Sequence, residues 1–254
     1  VPEDPYVIAG LIAVLLLSIS WHEAAHAWVA DRLGDPTPRA MGRVTLNPLA
    51  HLDLFLSVIL PTITFLAAGL IFGGGKPVPI DVRRFEPSRR ARSFMLVALA
   101  GPGSNLLLAG VFSIAFALAA HAEWIPPTVV EWSTSERVDV HAPSLANAGG
   151  AITEGRFGAV LEETLAYGVL LNILLAVFNM MPIPPLDGSR VVGWLLPAGA
   201  RGAWYGMDRF GLLLIVVAFF VLGLGTYVFE AMSFLFGYYV DFADWLIALG
   251  SGGP

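Results

Sequence analysis

An all-α polytopic membrane protein is the fold class this sequence predicts, on three observations. Of the 254 residues, 56% are hydrophobic and 13% charged, where an average soluble domain carries roughly 25% charged. The apolar residues stand in long blocks near the ~20 residues a helix needs to cross a bilayer core, not in short periodic stripes around one soluble core. The 14 Lys and Arg residues abut those blocks rather than forming a basic face with interleaved aromatics. Nucleic acid is therefore excluded as a partner, and the lipid bilayer is the expected one.

The first block, 7–30, is longer than a signal-peptide core and reads as a retained span. The chain starts on Val1 rather than Met, which reads as a processed or trimmed start. Further spans are expected at 94–120, 159–181 and 210–229. Block 52–72 is long enough to cross, but Pro61 sits at its middle and glycines crowd its end. Basic residues flank it on both sides: Arg32, Arg39 and Arg43 before, Lys76, Arg83, Arg84, Arg89, Arg90 and Arg92 after. Because such loops stay cytoplasmic, a full crossing would strand one flank outside, and a re-entrant segment avoids this. Irregular backbone at membrane depth needs protein or a watery cavity around it, so the segment is expected to wall a buried site. Four spans then put both termini outside. The outer loop 121–158, about 38 residues, carries Trp124 and Trp132 as expected interface anchors. Segment 230–249 holds Glu230, Asp241 and Asp244 among aromatics and reads as an interfacial helix or a weak extra span.

Within the first block stands His22-Glu23-Ala24-Ala25-His26. On a helix the two histidines, four apart, stack on one face and can meet one tetrahedral zinc, with Glu23 beside them to take a proton from the attacking water. A chance HExxH or a satisfied polar patch is the bland alternative. Each ionisable group inside a span costs on the order of 2–4 kcal/mol and normally marks function, which favours the metal. No cysteine is present, so thiolate ligands are excluded and the third ligand must be His or a carboxylate. His51, His121 and His141 read as solvated. Asp187 is the better candidate: prolines 182, 184 and 185 stop the third span and leave a carboxylate next to Gly188. Alone, this stretch could equally be an ordinary proline-rich turn.

Taken together, HEAAH and the N-x-x-P-x-P-x-L-D-G run from Asn179 to Gly188 resemble the paired signatures of the site-2 protease family. Similar motifs occur at 42–48, 75–79 and 100–105, and the likeness runs from about Leu15 to Arg190. It implies a three-helix catalytic core holding one catalytic zinc ion on His22, His26 and Asp187, with water as nucleophile and Glu23 as general base. Asn179 and Asn105 become candidates for holding substrate backbone or an oxyanion, with a helix-to-helix hydrogen bond as the competing role. Segments 42–46 and 77–82 are expected to form a small membrane-associated β hairpin or sheet to which an unwound substrate adds a strand. Proline at Val44 and Val78 should then cripple cleavage. Substrates implied by the resemblance are single-pass membrane proteins or remnant signal peptides. The expected location is a prokaryotic plasma membrane, the metal toward the cytoplasm. The outer loop is too short for the PDZ domains of larger relatives, and no nucleotide-binding domain is visible after the last span, so control is expected from substrate supply or a partner protein. An intramembrane metal transporter and a silent helix-binding scaffold are the competing readings. The transporter predicts ligands on several spans, and the fourth has none.

Overall fold

The computed structural model describes residues 4–53, 59, 74–125 and 154–250. The first helix, α1 (Pro5–Arg32), runs four residues beyond the expected block in all, because the polar residues at its ends continue the same hydrogen-bond ladder. Gly34, at φ +107°, stops it. Asp35 N–H donates to Ala30 O at 2.9 Å and Gly34 N–H to Asp31 O at 3.2 Å, the pair of bonds by which a left-handed glycine closes a helix end. Two single turns follow, α2 (Thr37–Ala40) and α3 (Pro48–His51), the latter capped by Asn47, whose side chain accepts from Leu49 N–H.

The long helix α4 (Arg90–His121) contains Pro102. Next, α5 (Glu154–Asn179) ends where the proline run begins. The short α6 (Gly188–Leu195) starts at the residue after Asp187. Three guanidinium contacts from Arg201 to the carbonyls of Gly193, Trp194 and Leu196 close its far end. From α7 (Ala198–Gly206) the chain continues through a 3-10 turn into α8 (Gly211–Val216) and a π turn at Val217–Val221. Last comes α9 (Leu224–Gly250).

Among the described residues, five helical stretches are long and apolar enough to cross a membrane: Pro5–Arg32, Arg90–His121, Gly155–Asn179, Ala198–Val221 and Leu224–Gly250. Two expectations change here. The fourth apolar stretch does not run over 210–229: it begins at Ala198, because α7 runs on through the 3-10 turn into α8, and Gly223, at φ +67°, ends it, so that the residues after Gly223 join α9. Segment 230–249 is accordingly part of a 27-residue helix of spanning length and composition, which favours the extra span over the interfacial helix. Its three carboxylates are spaced so that the apolar count still dominates. Most of 52–72 and of the outer loop, with Trp132 and His141, lies outside the described residues.

The expected β hairpin is also not there: among the described residues no strand forms. Residues 42–46 are turn and bend, and 82–84 form a 3-10 turn capped by Asp81. The backbone groups that would have made a ladder pair elsewhere. Arg43 N–H donates to Pro38 O at 2.8 Å, Lys76 N–H to His51 O at 2.7 Å, and Asp81 N–H to the buried Asp35 carboxylate at 2.7 Å. With those partners taken, the proline substitutions at Val44 and Val78 have no ladder to break.

The chain forms two compact units. One comprises Val1–Leu15, Leu107–Ile173 and Met232–Pro254, and its core gathers Phe116, Ala119, Ala120, Ile125 and Leu165. The other comprises Leu16–Leu106 and Leu174–Ala231 and contains every candidate site residue. In this second unit α1 and the start of α4 pack antiparallel. Ser18 meets Asn105, His22 meets Asn105, His26 meets Val97, and Ala30 packs with Val97 and Phe85. The connection from 33 to 89 therefore leaves and returns at the same end of the pair.

Candidate metal centre

One face of α1 carries Ser18, His22, His26 and Ala30, spaced by four, and one face of α4 carries Val97, Gly101 and Asn105, also spaced by four. Residues four apart stack along a helix, so the two rows mesh. Gly101 lets them approach. A Cβ at Gly101 would lie 2.4 Å from His26 Nε2 and 2.6 Å from His22 Cε1, so the imidazoles fill the space a side chain would need.

The far nitrogens of both rings are fixed from behind. His26 Nδ1 lies 2.7 Å from the Val97 carbonyl, which can only accept, so that nitrogen carries the hydrogen. His22 Nδ1 lies 2.6 Å from Asn105 Oδ1, and the Asn105 amide nitrogen donates to Ser18 O at 3.3 Å. Both Nε2 lone pairs are thereby turned inward, the tautomer a metal ligand needs. Asn105 is thus behind His22 and wholly buried. Asn179 donates from its amide nitrogen to Leu175 O on its own helix at 2.9 Å.

Asp187 reaches the same point from the proline-rich turn. Met181 and Leu186 bury that turn against Ile215, Phe178 and Phe219, and Gly188 seats the start of α6 on the end of α5, where a Cβ would lie 2.1 Å from Met180 O. Arg190, one turn on, is held by a bidentate pair with Asp208 at 2.7 and 3.1 Å and stands 5.3 Å from the Phe94 and Tyr205 rings. The result is a triangle. His22 Nε2 and His26 Nε2 are 3.0 Å apart, and Asp187 Oδ2 lies 3.2 and 3.3 Å from them.

Tetrahedral zinc bonds of about 2.0–2.1 Å place neighbouring donor atoms about 3.3–3.4 Å apart, close to all three sides of this triangle. Among the described residues no donor gives a hydrogen bond to the buried Asp187 Oδ2, and three inward lone pairs without a shared proton call for a cation between them. His22, His26 and Asp187 therefore fit a zinc ion by distance, donor type and burial.

Residues 10–224 match peptidase family M50, the site-2 proteases. The chain belongs to that family. Relatives of this M50 protease share the description "Putative zinc metalloprotease". YwhC of Bacillus subtilis (strain 168) is 36% identical over 86% of this chain and 83% of its own length. Rip2 of Mycolicibacterium smegmatis is 28% identical over 90% and 73%, and Rip2 of Mycobacterium tuberculosis (strain H37Rv) 29% over 92% and 76%. No solved structure matches the chain. The protein is a zinc metalloprotease of the site-2 type, a multi-pass membrane hydrolase whose cofactor is zinc.

Several residues around the centre escaped the sequence reading. His51, expected to be solvated, is wholly buried, its Nε2 2.7 Å from Thr45 O, and its backbone carbonyl accepts from Lys76 N–H of a distant segment. Gly101 matters both for the helix approach and for the ligands, since its missing Cβ is what admits both imidazoles. Its register with His22 and His26 was present in the four-residue spacing, but only with α1 and α4 known to pack antiparallel. Val97 acts through its carbonyl, which side-chain identity does not report.

Asn105→Ala removes the acceptor behind His22. Loss of such an outer partner typically costs 10–100-fold in metal affinity, and zinc titration against a competing chelator should show a weakening of about that size with the fold retained.

Proposed function

We propose that this M50 protease hydrolyses peptide bonds within or beside transmembrane segments of membrane-anchored substrates, single-pass proteins or remnant signal peptides among them. The observation that carries this reading is the placement of the ligand triangle: two of its three corners stand inside α1, a 28-residue helix of spanning composition. A soluble substrate has no ready path to such a centre, whereas a neighbouring transmembrane segment already lies at its depth. The basic residues after α1 and before α4 support an orientation with that end, and so the metal, toward the cytoplasm of a prokaryotic cell. Should all five long helices cross and 52–72 be re-entrant as the sequence suggests, the termini fall on opposite sides, in place of the both-outside arrangement that four spans gave. Control by substrate supply or a partner protein belongs to the same proposal.

When bound, zinc supplies a Lewis acid that lowers the pKa of a water to about 7 and polarises the scissile carbonyl. The chain's own residues do the rest. Glu23 is half-buried and next to His22, about 100° round the helix from it. Its carboxylate takes a proton from the water and returns it to the departing amide nitrogen. Asn105 and Val97 hold His22 and His26 in the tautomer that leaves Nε2 free. Asn179, at the end of α5, is the group proposed to hold substrate backbone. Asn105 is already engaged by His22 and Ser18, which supports the orienting role over an oxyanion one.

The test uses the full chain in lipid vesicles with a model transmembrane substrate. Chelation of zinc should stop cleavage and zinc re-addition should restore it, while vesicles loaded with a zinc indicator show no flux. Zinc crossing the bilayer without cleavage would replace the protease mechanism with transport.

A further inference from the structure

Arg43 is 5% exposed although it lies between two single-turn helices. Its guanidinium donates to the Lys76 carbonyl, its Nε meets no acceptor, and it makes no ion pair among the described residues. Burying a charge without a carboxylate is costly, so the placement needs a physical reason. The same residue, Lys76, is gripped from its other side, where its N–H donates to His51 O at 2.7 Å. His51 is in turn fixed by its ring contact to Thr45 O. Residues 43–51 therefore hold Lys76 by both its N–H and its C=O.

The effect falls on Gly75. A Cβ there would lie 2.9 Å from Ile19 Cγ2, 3.2 Å from His51 O and 3.4 Å from Glu23 Oε1. The Gly75–Lys76 backbone is pressed onto the face of α1 that carries Glu23, and a glycine leaves the carboxylate room there. None of the metal triangle comes from this segment.

We propose that Arg43 is a positioning residue for Glu23: by anchoring the Lys76 carbonyl it keeps the Gly75 backbone as a wall against the Glu23 carboxylate. This rests on Glu23 serving as the general base. A freely rotating carboxylate spends much of its time away from the reacting atoms, and misplacement by about 1 Å can cost 10²-fold in rate. The wall therefore sets kcat more than substrate affinity, and it does so without touching zinc.

Arg43→Met keeps the length and loses the donor; Arg43→Lys restores one donor for the single bond that is made. In vesicles with a transmembrane substrate, Arg43→Met should bind zinc one to one, change KM by less than about threefold and lose about 10–100-fold in kcat. Arg43→Lys should recover most of that loss. Wild-type kcat in Arg43→Met, a loss that tracks lost zinc, or a Lys variant as poor as Met each overturns the proposal. If Arg43→Met does not fold, Gly75→Ala decides, since it crowds Glu23 with Arg43 intact: lowered kcat with zinc kept supports the wall, and unchanged kcat removes it. Glu23→Gln run alongside separates the two claims. Cleavage by that variant sinks the base reading, whereas an inactive Glu23→Gln beside a normal Arg43→Met sinks only the clamp.

Discussion

Glu23→Gln is expected to bind zinc as the wild type does and to lose cleavage by about 10²–10⁴-fold, the usual contribution of a positioned proton acceptor. The expectation rests on the division of labour at the centre. The three atoms that converge are His22 Nε2, His26 Nε2 and Asp187 Oδ2, and Glu23 supplies none of them. Glutamine matches its size and polarity, so the α1 surface and the contact with Gly75 persist. What the amide cannot do at neutral pH is accept a proton and pass it on. Metal content by elemental analysis and cleavage of a transmembrane substrate are to be measured on the same preparation. A Gln variant that cleaves at the wild-type rate would mean that another group moves the proton.

Gly101→Ala should have a comparably large effect by the opposite route, removing zinc while leaving Glu23 in place. Its Cβ would stand 2.4 Å from His26 Nε2, 2.5 Å from His26 Cε1 and 2.6 Å from His22 Cε1, well inside van der Waals contact. Those rings cannot swing aside cheaply, because Val97 O and Asn105 Oδ1 hold their other nitrogens. Nor can the helices part without opening the packing of Ala30, Val97 and Phe85. The strain therefore falls on the ligand geometry, and zinc affinity should drop by at least about 100-fold. Gly103→Ala is the internal control: it lies two residues along the same helix with nothing among the described residues within 4 Å of its Cβ. Both variants should keep wild-type helix content by circular dichroism; only Gly101→Ala should lose metal and activity. Equal zinc binding by the two would show that the centre tolerates ring displacement that its geometry does not predict.

Much of the centre was open to reading because its chemistry is local. Two histidines four apart on an apolar helix must share a face, whatever the rest of the chain does. The proline run from 182 to 185 ends α5 and presents Asp187 by steric rules that act within a few residues. The glycine stop at 34 works equally close to home. Where the reading failed, the deciding partner was distant. Segments 42–46 and 77–82 have enough extended character to suggest strands, but their backbone groups found Pro38, His51 and Asp35 instead. His51 looked like a solvated loop histidine, yet it is wholly buried with its ring on Thr45 O and its own carbonyl bound by the distant Lys76 N–H. Block 230–249 carries charges that suggest an interface, and the turn at Gly223 joined it to six preceding residues, making a helix long enough to cross.

The sequence by itself thus determined the membrane class and the shared face of His22 and His26, since composition and helical period are properties of short stretches, and its resemblance to the site-2 proteases implied Asp187 as the third ligand. Tertiary structure alone decided which groups stand behind those ligands. The Val97 carbonyl, the Asn105 amide, the empty flank of Gly101 and the Arg43 grip on Lys76 act only once α1, α4 and the loops between them are packed. A hydrogen bond or a steric gap depends on two surfaces meeting in one register, and no single stretch of chain contains both.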